Sequence, residues 1–503
     1  MIASIDPRTG TTAEELDVPA EDLDRLGERA RAAHRELAGA GRGGRAAMLR
    51  AMAAALEERR AELVAAADRE TGLGPQRLNT ELTRTAFQLG LFADVLDDGA
   101  YLEVTIDHAG PTPMGPRPDL RRMLDPLGPV AVFGASNFPF AFSVPGGDTA
   151  SALAAGCPVV AKAHPAHPVT SLLSRDALLA GARAAGLATD VVSLVHSNEA
   201  AARLVQHPDI TAVGFTGSLR VGRMLADLAA ARPAPIPFYG ELGAVNTLVV
   251  GRAAARARGA RIGEGLAGSF MLGVGQFCTK PGVAVVPSGA DGADLVRALA
   301  DRVAAAGAGT MLSERTAAGY TEGVAHLLAA PGVEVLARGG EGPAEGFWGT
   351  PLLLRARPDA LAGPLLEECF GPELIVVEYD TDDDALAVLR RFGPALTASI
   401  HADDGDRPLA ARLLDHARRT AGRVVWNGYP TGVAVAWAMH HGGPYPATTN
   451  PLHTSVGASA IRRWLRPVCF QDVPAELLPG ELRDDPAGPD RVPRRVDGAP
   501  VAR

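Results

Sequence analysis

The chain has 503 residues and a formal net charge of −9, with 47% hydrophobic and 21% charged residues. A chain of this length is expected to form more than one domain, and its balance of residues is that of a globular protein. The negative net charge speaks against a nucleic-acid partner, and no apolar run of about 18 residues is present to span a membrane.

The N-terminus and the cysteines indicate the compartment. Residues 1–7 contain no basic stretch followed by an apolar one, so we expect no secretory signal. The cysteines Cys157, Cys278, Cys369 and Cys469 lie far apart, and no two have the C-x-x-C spacing. This arrangement argues against zinc and against a disulfide framework, and it favours a reducing cytoplasm. We therefore expect a cytoplasmic protein without a bound metal.

The first part of the chain is predicted to be helical, from about residue 21 to residue 98. Its apolar residues, among them Leu49 and Leu56, recur with a period near 3.6 residues. Two runs with strand character follow, residues 101–106 and 120–124, separated by a link rich in Gly and Pro. They are predicted to form a hairpin that projects from the domain.

From residue 129 onward, short apolar strands alternate with helices, which is typical of a parallel sheet covered on both faces. The predicted strands of the first such region are residues 130–133, 158–161, 191–194, 211–215 and 236–239.

The second half of the chain, about residues 246–440, repeats this alternation. Its predicted strands are residues 283–286, 374–378, 396–401 and 423–426, with one further strand at 467–471. The residues beyond about 484 are rich in Pro, Asp and Arg, which predicts a disordered tail.

Polar residues follow several of these strands, at the sheet edge where open α/β sheets bind their ligands. Asn137 follows strand 130–133 and can donate its amide to a developing negative oxygen, although capping its own turn is the commoner role. Lys162 follows strand 158–161 and can hold a ribose hydroxyl or a phosphate, or is simply solvated. Lys162 and Lys280 are the only lysines among many arginines, which favours sites that need a compact ammonium.

Two further strand ends carry candidate groups. Thr216, Gly217 and Ser218 precede a helix, and their N–H groups suit a pyrophosphate, although G-x-G-x-x-G is absent. Glu241 lies between glycines and suits a general base, the alternative being a surface carboxylate. Glu368 and Phe370 lie two residues apart. Their carboxylate and aromatic ring can hold a ribose and the ring of a nucleoside.

Cys278 lies in the glycine-bounded turn 275–282, between a helical run and a buried strand. A cysteine there can present its sulfur to a cleft with backbone N–H groups nearby for an oxyanion. The alternative is a small buried hydrophobic residue, which most free cysteines are.

Together these motifs resemble the aldehyde dehydrogenase superfamily over about residues 16–482. The matching motifs, in the family's order, are Asn137-Phe138-Pro139, the Lys162 strand end, Phe215-Thr216-Gly217-Ser218, Glu241-Leu242-Gly243, Gly275-Gln276-Phe277-Cys278 and Glu368-Cys369-Phe370-Gly371-Pro372. The resemblance implies an α/β fold with two α/β domains of parallel-rich sheets and a small β bridging or oligomerisation arm. The implied divisions are a dinucleotide-binding domain (1–100 and 125–245), a catalytic domain (246–445), the arm (101–124 and 446–483) and a tail (484–503).

The resemblance also implies a mechanism. The Cys278 thiolate attacks the aldehyde, and the Asn137 amide with the Cys278 backbone N–H holds the oxyanion. Hydride transfer to the nicotinamide leaves a thioester, and Glu241 activates the water that hydrolyses it to an acid.

The same resemblance assigns the cofactor residues. Lys162 and Glu368 would hold the riboses, Ser218 with Thr216 and Gly217 the pyrophosphate, and Phe370 would pack by the nicotinamide.

Within the superfamily, four stretches resemble NADP-linked 2-oxoglutarate semialdehyde (2,5-dioxovalerate) dehydrogenases: residues 162–168, 276–282, 427–433 and 441–446. Many NAD-preferring members have a glutamate at the place of Pro165. Without that carboxylate a 2′-phosphate is not repelled, and Lys162 and His164 could contact it. NADP is therefore favoured, and use of NAD stays open.

The substrate and the assembly are also inferred from the resemblance. Arg84 would line the substrate mouth and bind the carboxylate of a semialdehyde, the alternative being a solvated arginine. A broad-specificity dehydrogenase of fatty or aromatic aldehydes is the nearest alternative function. A CoA-acylating enzyme fits less well, because it would not need the base Glu241. A non-catalytic protein on the same fold is the alternative of a different class. The resemblance implies a homodimer or homotetramer.

Overall fold

The computed structural model describes residues 1–18, 21–188 and 190–502. Its α-helices are α1 (Leu23–Glu58), α2 (Arg60–Thr71), α3 (Pro75–Asp98), α4 (Gly147–Ala155), α5 (Pro168–Ala184), α6 (Asn198–Gln206), α7 (Leu219–Ala230), α8 (Arg252–Met271), α9 (Ala290–Ala304), α10 (Glu314–Ala329), α11 (Asp382–Leu389) and α12 (Arg407–Thr420). In the described part of the chain, no helix combines the length and apolar character needed to cross a membrane.

The strands are short. They are β1 (Ile2–Asp6), β2 (Thr11–Leu16), β3 (Thr105–Asp107), β4 (Gly110–Thr112), β5 (Gly115–Arg117), β6 (Leu120–Pro126), β7 (Val130–Phe133), β8 (Val159–Lys162), β9 (Val192–Val195), β10 (Ala212–Thr216), β11 (Phe238–Glu241), β12 (Asn246–Val250), β13 (Pro281–Pro287), β14 (Gly309–Thr310), β15 (Val333–Arg338), β16 (Trp348–Gly349), β17 (Leu352–Ala356), β18 (Glu373–Tyr379), β19 (Ala395–His401), β20 (Ala421–Trp426), β21 (Leu465–Gln471), β22 (Arg494–Val496) and β23 (Ala499–Val501).

The first sheet is parallel throughout, with the strand order β11-β10-β7-β8-β9. The strands β7, β8 and β9 are buried along their whole length, because hydrophobic clusters cover both faces of the sheet. All five strands predicted for this region are present. The last one begins at Phe238, after Pro237, which has no N–H to donate to a ladder, and it runs on to Glu241.

The second sheet has the order β15-β17-β18-β13-β12-β19-β20 and is parallel except for β15. The four strands predicted here are present. The interior strand β12 and the strands β15 and β17 were not among the predicted strands. Two hydrophobic clusters fill the faces of this sheet.

The third sheet, with the order β21-β6-β3-β22-β23, forms a separate arm. Strands β3 and β6 pair antiparallel as the predicted hairpin, with a short hairpin of β4 and β5 between them. Residues 100–102 form a 3-10 turn rather than a strand.

The prediction of a disordered tail beyond residue 484 is wrong for the described residues. Strand β22 pairs in parallel with β3, and β23 folds back on β22. The acidic residues Asp484 and Asp497 hydrogen-bond His108, and Val492 is 2% exposed in the core of the arm. The tail is polar, as its composition indicates, but its charged side chains form hydrogen bonds with residues of the arm.

Candidate active site

Four polar side chains from distant parts of the chain meet between the first and second sheets. Cys278 Sγ lies 3.6 Å from His441 Nε2, and His441 Nε2 lies 2.9 Å from Glu241 Oε1. Asn137 donates its side-chain amide to the carbonyl oxygen of Gln276, two residues before Cys278, at 2.9 Å. The three side chains predicted to be catalytic are thus neighbours, and His441 joins two of them.

The turn that carries Cys278 has an unusual backbone. Gly273, Val274 and Gly275 all have positive φ values of 55°, 60° and 65°. A β-branched residue rarely adopts such a conformation, so Val274 is strained. At Gly275 a Cβ would overlap the carbonyl oxygen of Gly371, so this turn packs directly against the segment that follows Phe370. The glycine is therefore required both for its conformation and for this close approach.

The backbone just after the nucleophile is fixed by Asn246, the first residue of β12. Its Nδ2 donates to the carbonyl oxygens of Cys278 and Lys280 at 2.8 and 3.0 Å. Its Oδ1 accepts from the N–H of Thr397 at 3.0 Å. One buried amide thus ties the catalytic turn to a neighbouring strand.

The loop with Asn137 is held from α3. Glu81 Oε1 accepts from the N–H groups of Phe140 and Ala141 at 2.8 and 2.9 Å. Arg77 donates to the carbonyl oxygen of Asn137 at 2.6 Å, and its guanidinium lies 4.8 Å from the Phe277 ring centre. Arg77 therefore links the Asn137 loop to the turn of Cys278.

Burial and charge set the protonation of the catalytic pair. Burial, followed by the charge of Glu241, raises the pKa of the Cys278 thiol well above its usual value. Burial also opposes ionisation of Glu241, but the charge and hydrogen bond of His441 and a hydrogen bond from Ser455 leave its pKa lowered. At neutral pH Cys278 is a thiol and Glu241 is a carboxylate. Attack by the Cys278 sulfur would therefore require a proton acceptor.

His441 and Ser455 are the functional residues that the sequence reasoning missed. His441 is 1% exposed and its Nδ1 has no hydrogen-bond partner among the described residues. Ser455 Oγ donates to Glu241 Oε2 at 2.7 Å. The stretch His441-Gly442-Gly443-Pro444 was noted only for its resemblance, although a histidine beside two glycines was a signal worth following.

The predicted pyrophosphate residues lie at the end of β10 and the start of α7. Ser218 is the N-cap of α7, and its Oγ accepts from the N–H of Val221. The N–H of Gly217 donates to the carbonyl oxygen of Glu241 at 3.1 Å, so it is not free for a ligand. The first turn of α7 contains no acidic residue, which leaves the later N–H groups available to an anion. Thr216 is the last residue of β10.

Lys162 ends β8 and is 7% exposed. Burial lowers its pKa to about 8, and its ammonium makes no hydrogen bond or ion pair with the described residues. His164 accepts from the N–H of Ala166 through Nδ1, so Nε2–H is left to donate, while Pro165 is exposed. Burial, with the nearby His167 and Lys162, holds the pKa of His164 well below its usual value.

Glu368 and Phe370 lie next to the catalytic turn. A Cβ on Gly243 would overlap Glu368 Oε2, so this carboxylate reaches over the segment that follows Glu241. Burial raises the pKa of Glu368 to about 7, against the opposing charge of Lys280. Phe370 is half-buried.

Two arginines approach the cleft. Burial lowers the pKa of Arg84, whereas the charges of Glu81, Cys278 and Glu241 raise it, so Arg84 is not a solvated surface residue. Its guanidinium lies 5.1 Å from the Phe142 ring centre, and Nη1 has no partner among the described residues. Arg423 was not predicted. Its buried Nε also lacks a partner in the described chain, and the Cys278 charge acts on it.

Comparison with known proteins identifies the family. Residues 1–449 match the family model described as "Aldehyde dehydrogenase family". "Alpha-ketoglutaric semialdehyde dehydrogenase 2" of Azospirillum brasilense is 44% identical over 99% of this chain and 96% of its own length. "Alpha-ketoglutaric semialdehyde dehydrogenase" of Acinetobacter baylyi is 41% identical over 90% of this chain and 86% of its own.

Solved structures show the same fold at lower identity. Aldehyde dehydrogenase C of Pseudomonas syringae, a mutant solved with NAD⁺ and octanal, has a TM-score of 0.79 at 23% identity and covers 93% of each chain. The 1-pyrroline-5-carboxylate dehydrogenase of Thermus, solved with NAD, has a TM-score of 0.78 at 22% identity, covering 94% of this chain and 90% of that one. The predicted resemblance and fold class are confirmed, and the chain belongs to the aldehyde dehydrogenase family of oxidoreductases acting on aldehydes.

Proposed function

We propose that this enzyme oxidises 2,5-dioxovalerate to 2-oxoglutarate with NADP, through a thioester on Cys278. The observation that carries the mechanism is the contact of Cys278 Sγ with His441 Nε2 at 3.6 Å, beside the Glu241 carboxylate. The names of the two relatives at 44% and 41% identity support the substrate.

The first step is removal of the thiol proton. The acceptor is the Glu241 carboxylate, which hydrogen-bonds the Cys278 side chain and is held in place by the hydrogen bond that His441 Nε2–H donates to Oε1. Glu241 passes this proton to solvent before the second half-reaction. The thiolate then attacks the aldehyde carbon. The resulting oxyanion accepts hydrogen bonds from the Asn137 amide, which has one N–H left, and from the backbone N–H of Cys278.

The second half-reaction releases the acid. When bound, the nicotinamide supplies the acceptor for the hydride that leaves this tetrahedral carbon, and Cys278 is left as a thioester. Glu241 then removes a proton from the water that attacks the thioester, and the released sulfur takes up a proton again. The lowered pKa of Glu241 keeps it in the form that can accept that proton.

The end of β8 supports the preference for NADP. The buried ammonium of Lys162 lacks a partner in the described chain, His164 offers Nε2–H, and Pro165 brings no carboxylate. Lys162 and His164 would hold the 2′-phosphate, whereas Ser218 and the start of α7 would hold the pyrophosphate. Glu368 would hold the second ribose, with Phe370 at the nicotinamide.

Two guanidinium groups support a substrate with a carboxylate. Arg84 Nη1 and Arg423 Nε are both buried with no partner among the described residues, and both guanidinium groups lie near enough to Cys278 to interact with its thiolate form. A buried donor without a partner is costly, and a substrate carboxylate would satisfy it.

A broad-specificity dehydrogenase of fatty or aromatic aldehydes is the second candidate. The rings of Phe138, Phe142 and Phe277 contact one another next to Asn137, with centre distances of 5.3 and 5.2 Å. An apolar aldehyde could pack against them.

The deciding experiment compares NADPH or NADH formation on 2,5-dioxovalerate, hexanal and benzaldehyde. We expect kcat/KM on 2,5-dioxovalerate to be at least about tenfold higher, equivalent to about 1.4 kcal/mol of transition-state preference. Comparable rates on hexanal would favour the second candidate. A higher kcat/KM with NAD than with NADP would contradict the cofactor assignment.

We also propose that the protein is a cytoplasmic homodimer. Strands β20 and β21 are edge strands of their sheets, and the side chains of Val424 and Trp426 on β20 are 37% and 49% exposed. Pairing of these edges between two copies would cover them. Light scattering of the purified protein tests this, with a monomer contradicting it and a tetramer extending it.

A further inference from the structure

We propose that the cluster of Cys278, His441 and Glu241 binds a zinc ion that blocks the enzyme reversibly. The Cys278 Sγ, a His441 ring nitrogen and a Glu241 carboxylate oxygen all lie within 4.8 Å of one another. The three ligands come from three distant segments, so no ligand spacing in the sequence predicts the site. The inference holds whichever aldehyde the enzyme oxidises.

The distances between these atoms suit a tetrahedral ion. Zinc binds thiolate at about 2.3 Å and imidazole at about 2.0 Å, which places sulfur and nitrogen about 3.5 Å apart. Cys278 Sγ and His441 Nε2 are 3.6 Å apart. His441 Nε2 and Glu241 Oε1 are 2.9 Å apart as hydrogen-bond partners. Zinc needs about 3.3 Å between such ligands, which a small rotation of the carboxylate provides.

The donor set and its surroundings select the metal. A thiolate with an imidazole and one carboxylate suits zinc and is too soft for Mg²⁺ or Ca²⁺. His441 and Glu241 are buried, whereas Cys278 keeps partial exposure, so an ion can enter from the cleft. The fourth ligand position is left to water, as in open zinc sites.

Binding exchanges the thiol proton for the metal. The S–H bond of Cys278 breaks, an S–Zn bond forms, and the proton leaves to solvent without any change of oxidation state. Because binding releases a proton, zinc binds more tightly as the pH rises.

The surroundings of His441 make the site reversible rather than structural. A histidine that binds zinc usually donates its other N–H to a neighbour, and loss of that partner lowers affinity by roughly 10–100-fold. His441 Nδ1 has no partner in the described chain. Zinc on the sulfur also prevents attack on the aldehyde, so inhibition is competitive with the aldehyde and is reversed by a chelator.

The test measures zinc bound to the full-length protein by equilibrium dialysis, with Co²⁺ as a spectroscopic probe. We expect Cys278→Ala to bind one zinc ion fewer than the unmodified protein and to lack the near-ultraviolet thiolate–cobalt band. We expect His441→Phe to bind zinc at least about tenfold more weakly. Cys469→Ala is the matched control, because Cys469 is the exposed cysteine on β21 and lies outside the cluster.

Equal zinc stoichiometry and equal cobalt spectra in the unmodified protein and Cys278→Ala would overturn the proposal. Inhibition by zinc that does not compete with the aldehyde would also overturn it. Circular dichroism shows whether each variant is folded. Because metal binding is measured without turnover, a protein inactive on every aldehyde would contradict the proposed function and leave this test intact.

Discussion

At the scale of single residues, the candidate site brings the side chains of Cys278, His441 and Glu241 into contact. The raised pKa of Cys278 means that the sulfur is held as a thiol until a base acts on it. Glu241 accepts hydrogen bonds from His441 and Ser455 and also hydrogen-bonds the Cys278 side chain, so its carboxylate can take the thiol proton directly. One proton is therefore shared among three groups, whose titrations are coupled.

Replacing His441 by phenylalanine should slow both catalysis and thiol alkylation. The aromatic ring keeps the volume but removes the charge and hydrogen bond that lower the pKa of the acceptor Glu241, so we expect kcat/KM to fall by about 10²–10⁴-fold. The rate of Cys278 alkylation by iodoacetamide should fall at neutral pH and recover toward high pH. The neighbouring His440→Phe is the control. An unchanged alkylation profile in His441→Phe would show that His441 does not keep Glu241 able to accept the thiol proton.

Replacing Arg84 by alanine should change specificity. A charge-assisted hydrogen bond to the substrate carboxylate contributes about 1.5–3 kcal/mol, so activity on 2,5-dioxovalerate should fall by about 10–100-fold. Activity on propanal, which has no carboxylate, should stay nearly constant. Arg423→Ala tests the second guanidinium in the same way. An equal loss of activity on both aldehydes would contradict the proposal that Arg84 binds the substrate carboxylate.

The site residues predicted from the sequence lie beside predicted strands, whereas the residues that were missed lie in a long loop. Asn137 and Glu241 lie at the ends of strands of the first sheet, and Cys278 precedes a strand of the second, so predicted strand positions point to all three. His441 and Ser455 lie in a loop without regular structure, and no local pattern reports which sheet edge a long loop will reach.

At the scale of elements, a buried ion pair supports the catalytic turn. Lys280, between Cys278 and β13, lies 3.0 Å from Glu373 at the start of β18, and both side chains are 3% exposed. Lys280 Nζ also donates to the carbonyl oxygen of Glu373 at 2.8 Å. Lys280, one of the two lysines of the chain, thus has a structural role. Its position in the stretch 276–282 did not reveal this role.

Replacing Lys280 by methionine should destabilise the protein strongly. Burial raises the pKa of Glu373 and Lys280 opposes this, so the variant leaves an uncompensated buried carboxyl. We expect a loss of about 3–5 kcal/mol in the free energy of unfolding, measured by denaturant titration. The double variant Lys280→Met/Glu373→Leu should recover much of it. A double variant no more stable than Lys280→Met would exclude an electrostatic cause.

The strands were predictable where they are continuous apolar runs, and less so elsewhere. Strand β7 matches its prediction residue for residue, because Val130-Ala131-Val132-Phe133 is buried on both faces. Strand β12 begins with the polar residues Asn246 and Thr247, and the Asn246 side chain binds the backbone of the turn that carries Cys278, so the apolar run of this strand is short. The polar residues at the start of β12 therefore masked the strand pattern in the sequence.

At the scale of the whole molecule, the arm joins strands from residues 105–126, in the first quarter of the chain, to strands from residues 465–501 near its end. Strand β22 pairs with β3, and Val492, two residues before β22, lies in the core of the arm. Arg42 of α1 donates to the carbonyl oxygen of Pro489 and to Glu481, so the tail also binds the first domain's helices. Charge composition alone could not predict these partners.

The tail's attachment should weaken as the pH rises. Hydrogen bonds to Asp497 and then Asp484 raise the pKa of His108 above its usual value. A group with a raised folded pKa contributes its full stability below its unfolded pKa, about 6.5, and loses it as pH rises through the folded pKa. Because His108 is half exposed, solvent and salt screen the effect, so it should be small.

The measurement is the melting temperature of the unmodified protein and of His108→Gln from pH 5 to pH 9. At pH 5 the unmodified protein should have a higher melting temperature than His108→Gln. This difference in melting temperature should shrink toward zero above the folded pKa of His108, and added salt should reduce the difference at low pH. Deletion of residues 486–503 serves as the reference, because it removes Val492 and β22 as well and should lower the melting temperature at every pH. A difference between the unmodified protein and His108→Gln that grows with pH would have the wrong sign for these ion pairs.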